Sequence, residues 1–164
     1  LTHMHLDHIF GMPDIDDNVP VYIGPGETEH SAFLHMFVQG TTDNLLDGKG
    51  KLREWGFNSK NRAIDVFGDG SFWALHMPGH SPGSVAFVVR STHGPVLVTG
   101  DTCHTGFGWN EGVEPGSFTD DQDVNRASLM TLKALAAAFP EMKVYLGHQD
   151  TEQPLKAYAQ KASQ

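Results

Sequence analysis

Cysteine is nearly absent from this sequence, with Cys103 alone among 164 residues. A single thiol excludes an internal disulfide and any Cys-rich zinc cluster, and it suits a reducing compartment. Long apolar runs are lacking as well. None approaches the roughly 20 residues a membrane span needs, and no charged segment followed by an apolar one marks a secretory signal. The expected location is therefore the cytoplasm, with no membrane partner. Positive charge is the third shortage. Lys and Arg number 11 against 20 Asp and Glu, giving a formal net charge of −9, and no basic tract offers the clustered cations that displace counterions from nucleic acid. A small-molecule substrate is the expected partner, nucleic acid is not, and a homo-oligomer is compatible with the composition.

What the sequence does have is histidine, ten of them in a chain that is 39% apolar. That length and apolar content suit one domain, taken as residues 1–164. The chain opens on Leu1 rather than Met, and its first motif starts almost at once. The front of a larger domain is expected to lie outside the sequence.

Short β-rich runs alternate with helical segments, which predicts a mixed α/β domain. Strands are expected at Val19–Ile23, Ala63–Phe67, Phe72–His76, Val85–Arg90, Val96–Thr99 and Lys143–Leu146. A hairpin turn is expected at Gly68-Asp69-Gly70. Helices are expected at 27–38, stopped by Gly40, and at 120–139. The second would be capped by Thr119 with Gln122 and would bury Val124, Leu129, Leu132, Leu135 and Phe139. A loop or broken helix should fill 41–60, and a weaker helix 154–161.

The chemistry concentrates in His3-Met4-His5-Leu6-Asp7-His8. In extended chain His3 and His5 point the same way, and a turn near Asp7 would bring Asp7 and His8 to a neighbouring volume. Imidazole and carboxylate so spaced are ligands for Zn²⁺ or a similar first-row metal. Met4, Leu6, Ile9 and Phe10, interleaved with them, argue against a purification tag. Three more polar residues follow expected strands: His80 within Pro78-Gly79-His80-Ser81-Pro82-Gly83, Asp101 within Thr99-Gly100-Asp101-Thr102, and His148 after Gly147. Strand ends beside Gly-rich turns are where open α/β folds place their sites. Taken singly, each reads better without a function, His80 and His148 as turn residues and Asp101 as a cap.

In order and local context these four motifs resemble the metallo-β-lactamase superfamily across nearly the whole chain. The resemblance implies a four-layer α/β/β/α sandwich, here without its N-terminal strands. It implies two divalent metal ions, zinc being the expected metal, with iron or manganese as alternatives. His3, His5 and His80 would hold one, Asp7, His8 and His148 the other, and Asp101 would bridge them. A hydroxide shared by two such cations is a good nucleophile near neutral pH, and Asp7 is expected to exchange a proton through it. The implied reaction is hydrolysis of an ester, lactone or thioester.

Two branches of the superfamily compete. The long segment before His80 resembles the lactonases, whereas Thr99-Gly-Asp-Thr102 followed by Gly106-Phe-Gly108, with Val144–His148, resembles the glyoxalase II thioesterases. His104 stands where lactonases often carry a tyrosine that hydrogen-bonds the substrate carbonyl, and it is expected to serve as that donor. An iron-dependent oxidoreductase on the same ligand set is a further alternative. So is a serine hydrolase, because Gly79-His-Ser-Pro-Gly83 matches a nucleophile elbow; but an elbow leads into a helix, and Ser84–Val89 reads as a strand. Cys103 is expected to be a small packed residue. Phe107 and Trp109 are candidates for a pocket wall or for the core, and His30, His35, His76 and His93 for packing or solvent.

Overall fold

From the His-rich opening to residue 54 the described residues build only a small sheet, in which β1 (Tyr22–Ile23) runs parallel to β2 (Arg53–Glu54). The computed structural model describes residues 1–30, 35–113, 115–149 and 155–156, without the side chains of 35–37 and 155–156. The strand expected from Val19 is shorter because Val19 closes a turn onto the Asp16 carbonyl and Pro20 has no N–H to pair. Two helices belong to this half: α1 (Leu6–Ile9) and α2 (His35–Leu45).

The helix expected at 27–38 is displaced toward the C-terminus. Residues 25–29 form turns, 31–34 lie outside the described residues, and α2 runs straight through Gly40. A glycine inside a helix costs only about 1 kcal/mol. Continuing to Leu45 brings Leu45 and Leu46, with Leu52, against a small core of Ile9, Met12 and Val21.

The rest of the chain forms a six-stranded sheet. Its strands β3 (Ala63–Asp65), β4 (Phe72–His76), β5 (Val85–Ser91), β6 (Gly94–Val98), β7 (Lys143–Tyr145) and β8 (Leu155–Lys156) lie in that order. All neighbours are antiparallel except β6 and β7. The expected Gly68–Gly70 hairpin joins β3 to β4. At 155–156 the expected C-terminal helix is replaced by β8, which covers the open edge of β7; the rest of 154–161 lies outside the described residues.

The parallel step from β6 to β7 needs a crossover, which contains α3 (Gly106–Glu111) and the long α4 (Gln122–Ala138). Leu129, Leu132 and Ala136 of α4 pack on Met77, Ala86, Leu97 and Val144 in the main core. Val124 and Phe139, expected on that face, are exposed. Asn125 and Ser128 are buried instead, because this end of α4 lies on the polar turn 78–83. The cap is also different from the expected one. Asp121 accepts from the Val124 N–H, whereas Thr119 is buried beside His80. Among the described residues no helix is long and apolar enough to cross a membrane.

Candidate metal centre

The opening residues are strung between the two sheets. The Leu1 ammonium donates to the Tyr22 carbonyl, and the Val85 N–H donates to the Thr2 carbonyl. His5 is extended (φ −64°, ψ 147°) and α1 begins at Leu6, the extended-then-turning path expected of the motif. The His3 and His5 rings lie 4.5 Å apart, and His8 comes round to 4.1 Å from His3.

From the other half, His80 arrives on the turn after β4, Asp101 on a helical turn after β6, and His148 just beyond β7. Two glycines make the approaches possible. Gly79 has φ +133°, and a Cβ there would fall 2.2 Å from the Asn125 backbone nitrogen. A Cβ on Gly147 would meet Asp101 Oδ1 at 2.0 Å.

Asp101 is the hub. His8 Nε2 lies 3.2 Å from its Oδ1, while His148 (3.0 Å), His80 (3.4 Å) and His3 (3.9 Å) present Nε2 to its Oδ2. His80 Nε2 is also 2.9 Å from His5 Nδ1. Asp7, 50% exposed at the rim, has Oδ2 3.4 Å from His148 Nε2 and 3.5 Å from His8 Nε2. The donor atoms of His3, His5, His80 and Asp101 fall within 4.8 Å of one another, as do those of Asp7, His8 and His148. All seven residues expected at the site are thus brought together.

The electrostatics suit neutral imidazoles at His3 and His80 beside one carboxylate, whereas Asp101 raises His8 despite its burial. Burial, reinforced by the other histidines, holds His3 well below the usual imidazole range, and burial lowers His80 to about 3. Burial pushes the Asp101 carboxyl upward, but a hydrogen bond from His104 and the close imidazoles of His8 and His3 outweigh it and hold the group far below the usual carboxylate range.

Glu27 and Thr119 escaped the sequence reading. Buried Glu27 accepts from the Met4 N–H through Oε2 (2.8 Å) and from the Gly83 N–H (2.8 Å) and the Ser81 hydroxyl through Oε1, tying the first motif to the His80 turn. Thr119 Oγ1 lies 3.3 Å from His80 Nδ1 and sets that ring from behind. Neither has a local sequence signal. Ser81 is buried, bonded to Glu27 and Ser84, and followed by strand β5, so it is not presented as a nucleophile.

The sequence profile of the metallo-beta-lactamase superfamily matches residues 1–148. The chain belongs to this superfamily. The metallo-β-lactamase match bears out the expected α/β class, and solved structures share the fold. One is AidC, a dizinc quorum-quenching lactonase in complex with a product (TM-score 0.65, 18% identity, 90% of this chain and 55% of that one). Another is TTHA1623 in a di-iron-bound form (TM-score 0.62, 26% identity, 99% of this chain and 73% of that one). Among curated relatives, the N-acyl homoserine lactonase AttM of Azorhizobium caulinodans is 32% identical over 138 residues, covering 82% of this chain. This metallo-β-lactamase chain spans about half (51%) of that relative's length.

The remaining expectations divide. Cys103 is packed in the core, and burial pushes its thiol up to about 11. Trp109 is core as well, whereas Phe107 is 71% exposed beside the site. His30 pairs with Asp120 at 2.8 Å, His76 Nε2 lies 3.1 Å from the Pro82 carbonyl oxygen, and His93 sits in a turn beside Thr92. The His35 side chain lies outside the described residues.

Proposed function

We propose that the protein is a metal-dependent hydrolase that opens a lactone or a related ester. The observation carrying this reading is that His3 Nε2, His8 Nε2 and Asp101 Oδ1 are buried without a hydrogen-bond partner and converge on one small volume. Unpaired buried polar atoms are costly. A cation satisfies them all, and neutral imidazoles with an ionised carboxylate are the donors such a cation takes.

His3, His5 and His80 would hold one divalent ion and Asp7, His8 and His148 a second, with Asp101 between them. When bound, the pair supplies Lewis acidity toward the carbonyl and water that is nucleophilic near neutral pH. The protein's own residues do the rest. Thr119 orients His80, Glu27 keeps the first motif against the His80 turn, and Asp7, open to solvent, handles the proton. As the water oxygen bonds to the acyl carbon and the acyl–oxygen bond breaks, the Asp7 carboxylate takes the water's proton and returns it to the leaving alkoxide.

A groove of about 320 Å³ adjoins the site, lined by His104, Phe107, Val113 and Pro115 among others. Its apolar side chains suit an acyl or alkyl portion of the substrate. The likeness to AttM favours a lactone over a thioester. Zinc is the metal proposed, with iron or manganese accepted by the same donors.

The test is metal analysis by mass spectrometry on protein purified without a tag or added metal, followed by proton-release assays on lactones, esters and thioesters. About two divalent ions per chain with lactone opening is the expected result. Turnover by metal-free protein, or loss of turnover in Ser81→Ala with its metal retained, would sink the reading.

A further inference from the structure

We propose, resting on the metal-centre reading above, that His104 is an eighth donor, ligating the cation held by Asp7, His8 and His148. The sequence reading gave His104 to the substrate carbonyl. In the structure its Nε2 faces the cluster, 2.9 Å from Asp101 Oδ2, as close as His148 Nε2 at 3.0 Å. The donor atoms of Asp101, His104 and His148 lie within 4.8 Å of one another.

The backbone holds the ring in this position. The His148 N–H donates to the His104 carbonyl (2.9 Å) and the Gly147 N–H to the Cys103 carbonyl (3.0 Å). This short ladder sets the two imidazoles side by side, ring centres 4.4 Å apart. Cys103, fixed in the core, anchors one side of it. His104 is 24% exposed, against 43% for His148, so it is the more enclosed of the two.

The Nε2 atoms of His3, His8, His80, His104 and His148 all lie within 4.0 Å of an Asp101 oxygen. Hydrogen bonds to Oδ2 account for His104 and His148 only, and the Nε2 atoms of His3 and His8 have no hydrogen-bond partner. Imidazole nitrogens gathered round one carboxylate beyond what its hydrogen bonds take up suit a shared cation, and His104 is among the closest. With its Nε2 engaged there, that nitrogen is not offered to a substrate carbonyl.

The experiment compares His104→Ala and His104→Gln with wild type. Zn²⁺ stoichiometry is measured by mass spectrometry and affinity by chelator competition, with thermal unfolding of the metal-free forms as the folding control. Gln keeps size and polarity if Ala disturbs the loop. The expected result is that both variants keep the tighter site and bind the second Zn²⁺ more than about ten-fold more weakly, since loss of even an outer-shell partner costs that much. Both Zn²⁺ ions bound at wild-type affinity, with only turnover reduced, would overturn the proposal and return His104 to the carbonyl. Wild type that takes up no Zn²⁺, iron or manganese would overturn the metal-centre reading itself, and this inference with it.

Discussion

The two halves of the molecule supply the site in opposite ways. Before residue 54, four donors sit within one six-residue stretch on a segment with little regular structure of its own, carried on a two-residue strand pair and a small core. Beyond residue 63, the three donors expected from the sequence stand at the ends of three different strand connections, and a six-stranded sheet with α4 fixes their separation. The first half has its chemistry in local sequence and borrows its rigidity. The second has rigidity built in and brings its donors together only by folding.

The largest expected effect comes from the residue that touches both halves. Asp101→Ala should lose bound metal and lower lactone turnover by more than about a hundred-fold, read by metal analysis and proton-release kinetics on the same preparation. His80→Ala should do the same. Retained metal in either variant would mean that the halves do not meet at a shared cation.

Glu27→Ala tests whether the first half borrows its order. It strands the Met4 and Gly83 N–H groups and leaves the Ser81 hydroxyl with Ser84 alone, at about 1–3 kcal/mol for each buried group left unpaired. Urea unfolding should show a loss of about 3 kcal/mol or more, with weaker metal binding. A loss below about 1 kcal/mol would show that the opening segment is held by other means.

Chelation should come next in size. A ligand present at 100 times its Kd stabilises by about 2.7 kcal/mol per site, and about 1 kcal/mol moves the Tm of a chain this long by roughly 2–4 °C. Calorimetry with and without EDTA should show a fall of that order; an unchanged Tm would argue that the cluster binds nothing. Ser81→Ala should have the smallest effect, about 1 kcal/mol for one hydroxyl, with metal and turnover retained.

How much could be read in advance follows the same division. The His3–His8 cluster was legible because all its donors are local, and His80, Asp101 and His148 because each follows a β-run and adjoins a glycine. Strand positions from β4 to β7 were legible as short β-rich apolar runs set off by Gly and Pro turns. Glu27 was not, because its partners Met4 and Ser81 lie 23 and 54 residues away. Thr119 was taken for a cap because capping is a local pattern, whereas its neighbour His80 is 39 residues off. The helix through Gly40 was missed because burying Leu45 outweighs a glycine's weak preference against helix.

The spread of the donors along the chain has one more consequence. His5 and His80 are 75 residues apart, and Asp101 and His148 are 47 apart. A cation joining them closes loops as long as those a disulfide closes, and in the chain-entropy picture a loop approaching 100 residues is worth about 4–5 kcal/mol through what it denies the unfolded chain. On the proposed reading, a protein with a single buried cysteine would carry its long-range cross-link in imidazole and carboxylate, a staple that opens to a chelator rather than to a reductant.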